Sequence, residues 1–394
     1  MRSRGGTPAI AVIVIGAAAA IACSELKSAV VADDAGGGGD AQDGSTPSEL
    51  EDGGTLSDDG SGPGGGFEAG PKGDSGVGPA AACRKIPLDC LDPAPANVIE
   101  VTTESTLQDA FANAKVGDTV QVRGKTLASG WQVPAYVTLR GCEGAAISGN
   151  IGFAGSGGTI EGFVVSGSII ANKSGSYVVR YNRFIAGTAP NEAGVSGRSI
   201  DSLVSASVTL VVDSNSFEGR PAGVEARTNY DTMTHAVDIT VRNNAFAHVA
   251  RPFVASESGL VGVINAKLEH NSFYDFDTAI SFVGVDRKST TSGNLFVRGT
   301  KGIEGSAYDV AYSLAWQVTT PAANPPVSGT FAIGDPALVD ADAGDLRLGA
   351  SSAAVDAIPN GSMVPAEDYL GCPRPAGAVG AAPKSDIGAF ESQP

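Results

Sequence analysis

Side chains able to act as an acid, a base or an ion ligand are few and gather in three segments. One holds Glu218, Arg220, Glu225, Arg227 and Asp231, a second Glu192 and Arg198, and a third Arg251 and Glu257. Arg220, Glu225 and Arg227 are the candidates for catalysis, although their spacing matches no motif and loop solvation is the plainer reading. His235, His248 and His270 share no ligand spacing with one another or with cysteine, so zinc has no support. Gly-x-Ser-x-Gly is absent, which removes the nucleophile elbow. Beyond residue 80 there is no Asp-Asp pair of the kind that polygalacturonase-type hydrolysis uses.

The elements that must position these groups follow an address and a spacer. Arg2 and Arg4 precede an apolar run from Ala9 to Ile21, too short to span about 30 Å of hydrocarbon. Cleavage after Ala22 leaves Cys23 first. The segment resembles a bacterial lipoprotein signal (residues 1–22), with Cys23 as the lipidated residue. Ser24 in second place implies, by that resemblance, the outer membrane, with the module on its periplasmic or cell-surface side. The membrane is then reached through the lipid alone.

The five cysteines fit this reading, since lipidation of Cys23 leaves four to pair in an oxidising compartment. Cys83 and Cys90 stand close enough in sequence to bridge, and Cys142 with Cys372 is left open. Residues 23–80 read as a disordered tether: Gly-rich, strongly acidic and nearly free of aliphatic residues. The whole chain of 394 residues carries a net charge of −17. That balance argues against nucleic-acid binding, which needs a clustered basic surface.

Residues 81–394 read as a stack. Ser105-Thr106-Leu107-Gln108 fits a capping box, and Leu107, Ala110, Phe111 and Ala114 share one helical face. Gly117-Asp118-Thr119-Val120 then turns into a strand. Asn-x-Phe recurs at Asn182, Asn215, Asn244, Asn271 and Asn294, each time after a strand-like run. The third residue before each Asn is Val179, Val212, Val241, Leu268 or Thr291, which predicts an inward column. The second before it is Arg180, Asp213, Arg242, Glu269 or Ser292, which predicts an outward column of alternating charge. The asparagines are expected to form a structural ladder at a sharp turn, where Asn tolerates the left-handed conformation and bonds to its counterparts above and below.

Helix, strand and coils together resemble the right-handed parallel β-helix (pectate-lyase-like) superfamily. The fold class is therefore all-β: a right-handed solenoid with a short N-terminal capping helix. The closing region supplies a narrower resemblance. Gly334-Asp335-Pro336, Gly344-Asp345-Leu346-Arg347-Leu348, Ser351-Ser352-Ala353-Ala354-Val355-Asp356, Arg374-Pro375 and Asp386-Ile387-Gly388-Ala389-Phe390-Glu391 follow the order found in extracellular choice-of-anchor Q domain proteins. Leu346, Leu348, Ile387 and Phe390 are expected to plug the open end of the stack, and Asp345, Asp356 and Asp386 to form turns.

Two functions remain. The first is a cell-envelope lipoprotein, monomeric and without a cofactor, whose module binds a polysaccharide or another envelope component without enzymatic turnover. Trp131, Tyr230, Tyr274 and Trp316 are the aromatic residues that could line its footprint. The second, implied by the superfamily, is a uronate lyase in which Lys or Arg is the base and Ca²⁺ neutralises the substrate carboxylate. It would need Glu225 and Arg227 to converge with an acidic residue of the next coil.

Overall fold

Each repeat alternates apolar and polar residues, and in the computed structural model the repeats lie directly above one another. The structure describes residues 88–91, 96–187, 192–199, 205–228, 234–257, 262–283, 289–305, 308–359, 362–374 and 384–392. All belong to the second of the two units into which the chain divides, Gly73–Pro394. The signal, Cys23, the tether and Cys83 lie outside them. Among the described residues no helix is long and apolar enough to cross a membrane.

The chain winds as a right-handed parallel β-helix with three strand stacks. Among the described residues the first stack is a ten-stranded parallel sheet, from Val98–Val101 to Tyr308–Ala311. Short strands such as Arg183–Phe184, Ser216–Glu218 and Ala245–Ala247 make the second stack, and Ala193–Ser199, Ala222–Thr228 and Arg251–Ser256 the third. Ser272–Val283 runs through both. Val179, Val212, Val241, Leu268 and Thr291 are paired in register and buried. Each such aliphatic side chain contributes roughly 1.5–3 kcal/mol by leaving water. The phenylalanines stack face to face in the second stack. Centroids are 4.5 Å apart for Phe184–Phe217, 4.6 Å for Phe217–Phe246, and 5.1 Å for both Phe246–Phe273 and Phe273–Phe296.

The asparagines form a continuous buried ladder between the first and second stacks. The Asn182 backbone N–H and Nδ2 both donate to Asn215 Oδ1, at 2.9 and 3.1 Å. The same double bond links Asn215 to Asn244, Asn244 to Asn271, and Asn271 to Asn294. Each Nδ2 also reaches a strand carbonyl, as Asn244 does to Val212 O at 2.9 Å. Ser313 ends the series, its hydroxyl accepting from the Asn294 N–H at 3.3 Å. The left-handed residue is not the asparagine but the one before it: Tyr181, Ser214, Asn243, His270 and Gly293 all have φ between 52° and 66°. The bend falls one residue earlier than expected, which aims the amide inward.

Outside the first stack the charged column runs in register from Glu161 through Arg180, Asp213, Arg242 and Glu269 to Ser292. Glu161 is clasped by Arg140 at 3.1 Å and Arg180 at 2.7 Å, and Arg242 pairs with Asp213 at 2.8 Å. The helix Glu104–Asn113 buries Leu107 and Ala110 against Val101, Val120 and Val122. Its capping box begins at Thr103 rather than Ser105. Thr103 Oγ1 accepts from the Thr106 N–H, and Thr106 Oγ1 from the Thr103 N–H. The threonine hydroxyl here does what Glu or Gln usually does.

The cysteine pairing also differs from expectation. Cys90 bonds Cys142, with Cα atoms 5.2 Å apart, so neither Cys83–Cys90 nor Cys142–Cys372 forms. Cys372 is itself disulfide-bonded. Residues 88–91 lie along the first sheet, where Gln121 Oε1 accepts from the Leu91 N–H at 2.9 Å and Arg140 Nη2 donates to Asp89 O at 2.9 Å. These contacts carry Cys90 to the end of the strand Thr138–Cys142. Closing a loop of 52 residues contributes on the order of 4 kcal/mol in the chain-entropy account.

The closing region does not plug the end of the stack. It runs along the outer side of the second stack, where Leu346, Ile387, Ala389 and Phe390 pack on the outward Ala245, Tyr274, Leu295 and Leu314. Gly388 sits against the coils with φ 106°, and a Cβ there would lie 2.7 Å from Ser272 Oγ. The tail is tied internally by a buried ion pair, Arg374 Nη1 to Glu391 Oε2 at 2.9 Å, with Arg374 Nη2 donating to Gly388 O at 2.7 Å. Asp368 accepts from the Cys372 and Glu391 N–H groups and Asp386 from those of Asp356 and Ser392. Burial raises the carboxyls of Asp368 and Asp386. His270, buried between coils and tail, is pushed well below its ordinary value of 6.5 by burial and then by Arg374. The backbone of Asp386 and Gly388 faces its ring without bonding geometry, leaving both ring nitrogens unpartnered.

Two outcomes follow from these contacts. Asn244→Ala strips the Asn215 N–H and Nδ2–H and the Val212 carbonyl of a partner, at about 1–3 kcal/mol each. Denaturant unfolding should show a loss of about 3 kcal/mol or more. His270 has a depressed folded value, so the unfolded chain binds the extra proton first, and stability present above 6.5 is lost as pH falls. Asp368 and Asp386, raised in the folded state, act with the opposite sign and oppose the decline as they protonate. His270→Asn, which keeps the left-handed turn, should flatten the decline in thermal midpoint between pH 6.5 and 5.

Candidate functional site

The three catalytic candidates do not converge. Arg220 is buried at the corner between the second and third stacks, where its guanidinium donates to Ile185 O at 2.8 Å and Gly167 O at 3.0 Å. Burial lowers its pKa, with Glu192 opposing. It is a bracket across coils. Glu225 and Arg227 point outward from Ala222–Thr228, paired in register with Ser196 and Arg198. Glu225 Oε2 accepts from Arg198 Nη2 at 2.8 Å and Ser196 Oγ at 3.0 Å. The next coil presents Val254 and Ser256 in register, not a carboxylate. Glu192 is held by Asn150 and Ser168. Among the described residues, no group of three or more His, Cys, Asp or Glu is placed to hold a metal ion.

The aromatic footprint is not assembled either. Trp131 packs on Phe111 with centroids 6.1 Å apart, Trp316 lies against the cluster beneath the tail, and Tyr274 is 6% exposed. Tyr230 and Asp231 lie outside the described residues. A cleft of about 520 Å³ between tail and coils includes Tyr181, Tyr369 and Phe390 in its lining. Its ions are already matched, Arg183 with Glu218 at 2.8 Å and Arg347 with Asp345. Tyr369 and Phe390 turn towards each other, with centroids 4.9 Å apart.

A different set of residues does come together. The corner between the second and third stacks needs one left-handed residue per coil, and Gly219, His248, Asp275, Arg298 and Gln317 fill it with φ between 51° and 60°. The side chains of His248, Asp275, Arg298 and Gln317 stand outward in a vertical row, one coil apart. They border a notch of about 500 Å³ that also includes Asp277, Thr300 and Thr319. His248 Nδ1 lies 2.7 Å from Asp275 Oδ2, and Arg298 reaches Asp275 through Nε at 3.3 Å and Nη2 at 3.2 Å. The Arg298 guanidinium sits 4.6 Å over the Tyr274 ring, which meets His248 edge-on at 5.5 Å.

The tail contributes Asp342 to this row. The antiparallel strands Leu338–Asp340 and Asp345–Leu348 form a hairpin around the 3₁₀ turn Ala341–Ala343, capped by Asp340 and closed by the left-handed Gly344. Asp342 Oδ1 accepts from Tyr274 Oη at 2.5 Å and from Arg298 Nη1 at 2.9 Å, while His248 Nε2 lies 3.2 Å from its carbonyl. The Tyr274 and Arg298 bonds hold the Asp342 carboxyl below its ordinary range, and Arg298 with His248 does the same for Asp275. Burial, with Asp342, pushes the Tyr274 hydroxyl up to about 12. It is a proton donor at any physiological pH.

The signal for this row is present in the sequence. His248, Asp275 and Arg298 each stand four residues after a ladder asparagine, as Gly219 does after Asn215. Counting backwards from Asn finds the core, whereas this set needs the count forwards.

No protein-family model and no curated protein matches the chain. Among solved structures it is similar to a mutant of AlyGC, an alginate lyase of family PL6. Identity is 15% and the TM-score 0.30, over 56% of this chain and 35% of that one. The chain thus spans about a third of that structure's length.

The geometry separates two arginines seven residues apart. Arg220→Met orphans two carbonyls and should cost about 3 kcal/mol in denaturant unfolding. Arg227→Ala, on the exposed face, should stay within about 0.5 kcal/mol.

Proposed function

We propose that this chain is a cell-envelope lipoprotein whose β-helix module binds a glycan chain, without turnover, along the corner carrying His248, Asp275, Arg298 and Gln317. In this reading Cys23 carries the lipid, the outer membrane is the site of display, and the closing region is of the choice-of-anchor Q type. The observation that carries the binding is the row itself. Coils about 4.8 Å apart present one polar side chain each, a spacing comparable to the length of a pyranose residue. A linear glycan lying along the corner meets a new donor or acceptor with every sugar. The adjoining notch adds two threonine hydroxyls and the Asp277 carboxylate.

A second reading, a uronate lyase, is favoured by one specific feature. An imidazole oriented by Asp275, a phenol and a guanidinium stand together at His248, Tyr274 and Arg298. Base, acid and charge neutralisation are what an elimination beside a carboxylate needs. Against it, both ring nitrogens of His248 are engaged, one by Asp275 and one by the Asp342 carbonyl. For its Ca²⁺-dependent form, the described residues offer no carboxylate cluster.

Affinity electrophoresis of the full chain through gels containing alginate, pectate or a glycosaminoglycan should show retardation by at least one polymer, lost in Arg298→Ala. Parallel incubations should show no rise in the ultraviolet absorbance of unsaturated products. A rise abolished by His248→Ala would install the lyase instead, and mobility unchanged in every gel would remove the glycan-binding reading.

A further inference from the structure

We infer that the notch is a carboxylate site which the chain keeps occupied with its own Asp342, so that the turn Ala341–Ala343 acts as a displaceable strap over the glycan-binding corner. The inference rests on the proposed glycan binding and names the ligand chemistry and regulation of that same site.

The argument begins with the contrast between the two sides of the contact. On the coil side the donors are fixed. The Tyr274 ring is buried and its hydroxyl donates to the Asp342 carboxylate. Arg298 bonds Asp275 through two of its nitrogens and sits 4.6 Å over the Tyr274 ring, while its Nη1 donates to the Asp342 oxygen. Two donors, one of them cationic, converge on one oxygen, the arrangement that favours an anionic acceptor. On the tail side, Asp342 stands at the tip of a three-residue turn with its side chain 75% exposed. Besides those two bonds the turn is held by Ala341 against the cluster beneath the tail and by His248 Nε2, 3.2 Å from the Asp342 carbonyl, and exposed ion pairs of this kind are weak and screened by salt.

An external carboxylate presents the same oxygen to the same donors. One carried on a glycan adds hydroxyls that reach Gln317, Thr300 and Thr319 in the notch, which Asp342 does not use. Further carboxylates on the same polymer raise the local concentration of competitors. The turn is tethered by the paired strands on both sides, so lifting it releases Ala341 and the His248 contact while Leu346 stays on the coils beneath the tail.

The test uses the full chain, as wild type, Asp342→Ala and Arg298→Ala, with each variant's fold checked by circular dichroism and thermal midpoint. Calorimetric titration uses three probes: a galacturonate hexamer, its carboxyl-reduced counterpart, and hexaglutamate. Removing the internal competitor should tighten hexamer binding about twofold to fivefold in Asp342→Ala. Arg298→Ala should weaken it at least about tenfold, and the reduced hexamer should bind none of the proteins. Equal or weaker binding by a folded Asp342→Ala makes the aspartate a clasp only and overturns the strap. Tight binding of the reduced hexamer overturns the carboxylate site while leaving glycan binding intact. Hexaglutamate bound in place of both sugars keeps the carboxylate site and removes the glycan reading. No binding by any probe overturns both.

Discussion

A coil of a β-helix must bend sharply while its backbone is buried on the inside of the bend, and the buried amide ladder is what makes that possible. At each corner an asparagine supplies the acceptor that the neighbouring coil's N–H and side-chain amide need, and a donor for a strand carbonyl. An apolar residue there would leave several polar groups dry. The ladder also sets the register: with Asn182, Asn215, Asn244, Asn271 and Asn294 level, the phenylalanines two residues on must stack and the aliphatic residues three before must face inward. Core, outward charges and decorated corner are all counted from that one position.

The tail obeys a different logic. It has few inward residues of its own and borrows the outward side of the second stack, where Ala245, Leu295 and Leu314 would otherwise be an exposed apolar strip. Its recurring Asp, Arg and Glu residues serve to hold one another. Arg374 and Glu391 are almost wholly enclosed, and such a pair stands only because the Asp386 and Gly388 carbonyls and the Asp386 N–H supply further bonds, with Arg374 Nε alone left without a partner. The closing motifs are therefore adhesive, a conformational lock against the coils.

The sequence was most legible where spacing is dictated by the solenoid. Asn-x-Phe, the aliphatic column and the charge alternation at Arg180, Asp213 and Arg242 could all be read because each follows from stacking alone. The partner of Cys90 is not legible in its spacing, because Cys142 is brought near by Gln121 and Arg140 side chains that no spacing rule connects to it. The tail was placed at the end of the stack because apolar content says that a segment is covered, not which surface covers it. The corner row is harder to read because its members share no side-chain chemistry: Gly219, His248, Asp275, Arg298 and Gln317 have in common their φ and their place in the coil, four residues after the ladder position. Arg220 was singled out for its charge, whereas its guanidinium is spent on carbonyls.

That last row has a consequence for how such a surface changes over time. Because the left-handed corner projects whatever side chain it carries into solvent, each coil offers one position whose chemistry is uncoupled from the packing beneath it. Successive coils then behave like slots in a rack, refilled in neighbouring sets, since His248, Asp275 and Arg298 bond one another, while the scaffold keeps its pitch. A lineage of these modules would be expected to diversify its ligands by editing that column, with the interior unchanged.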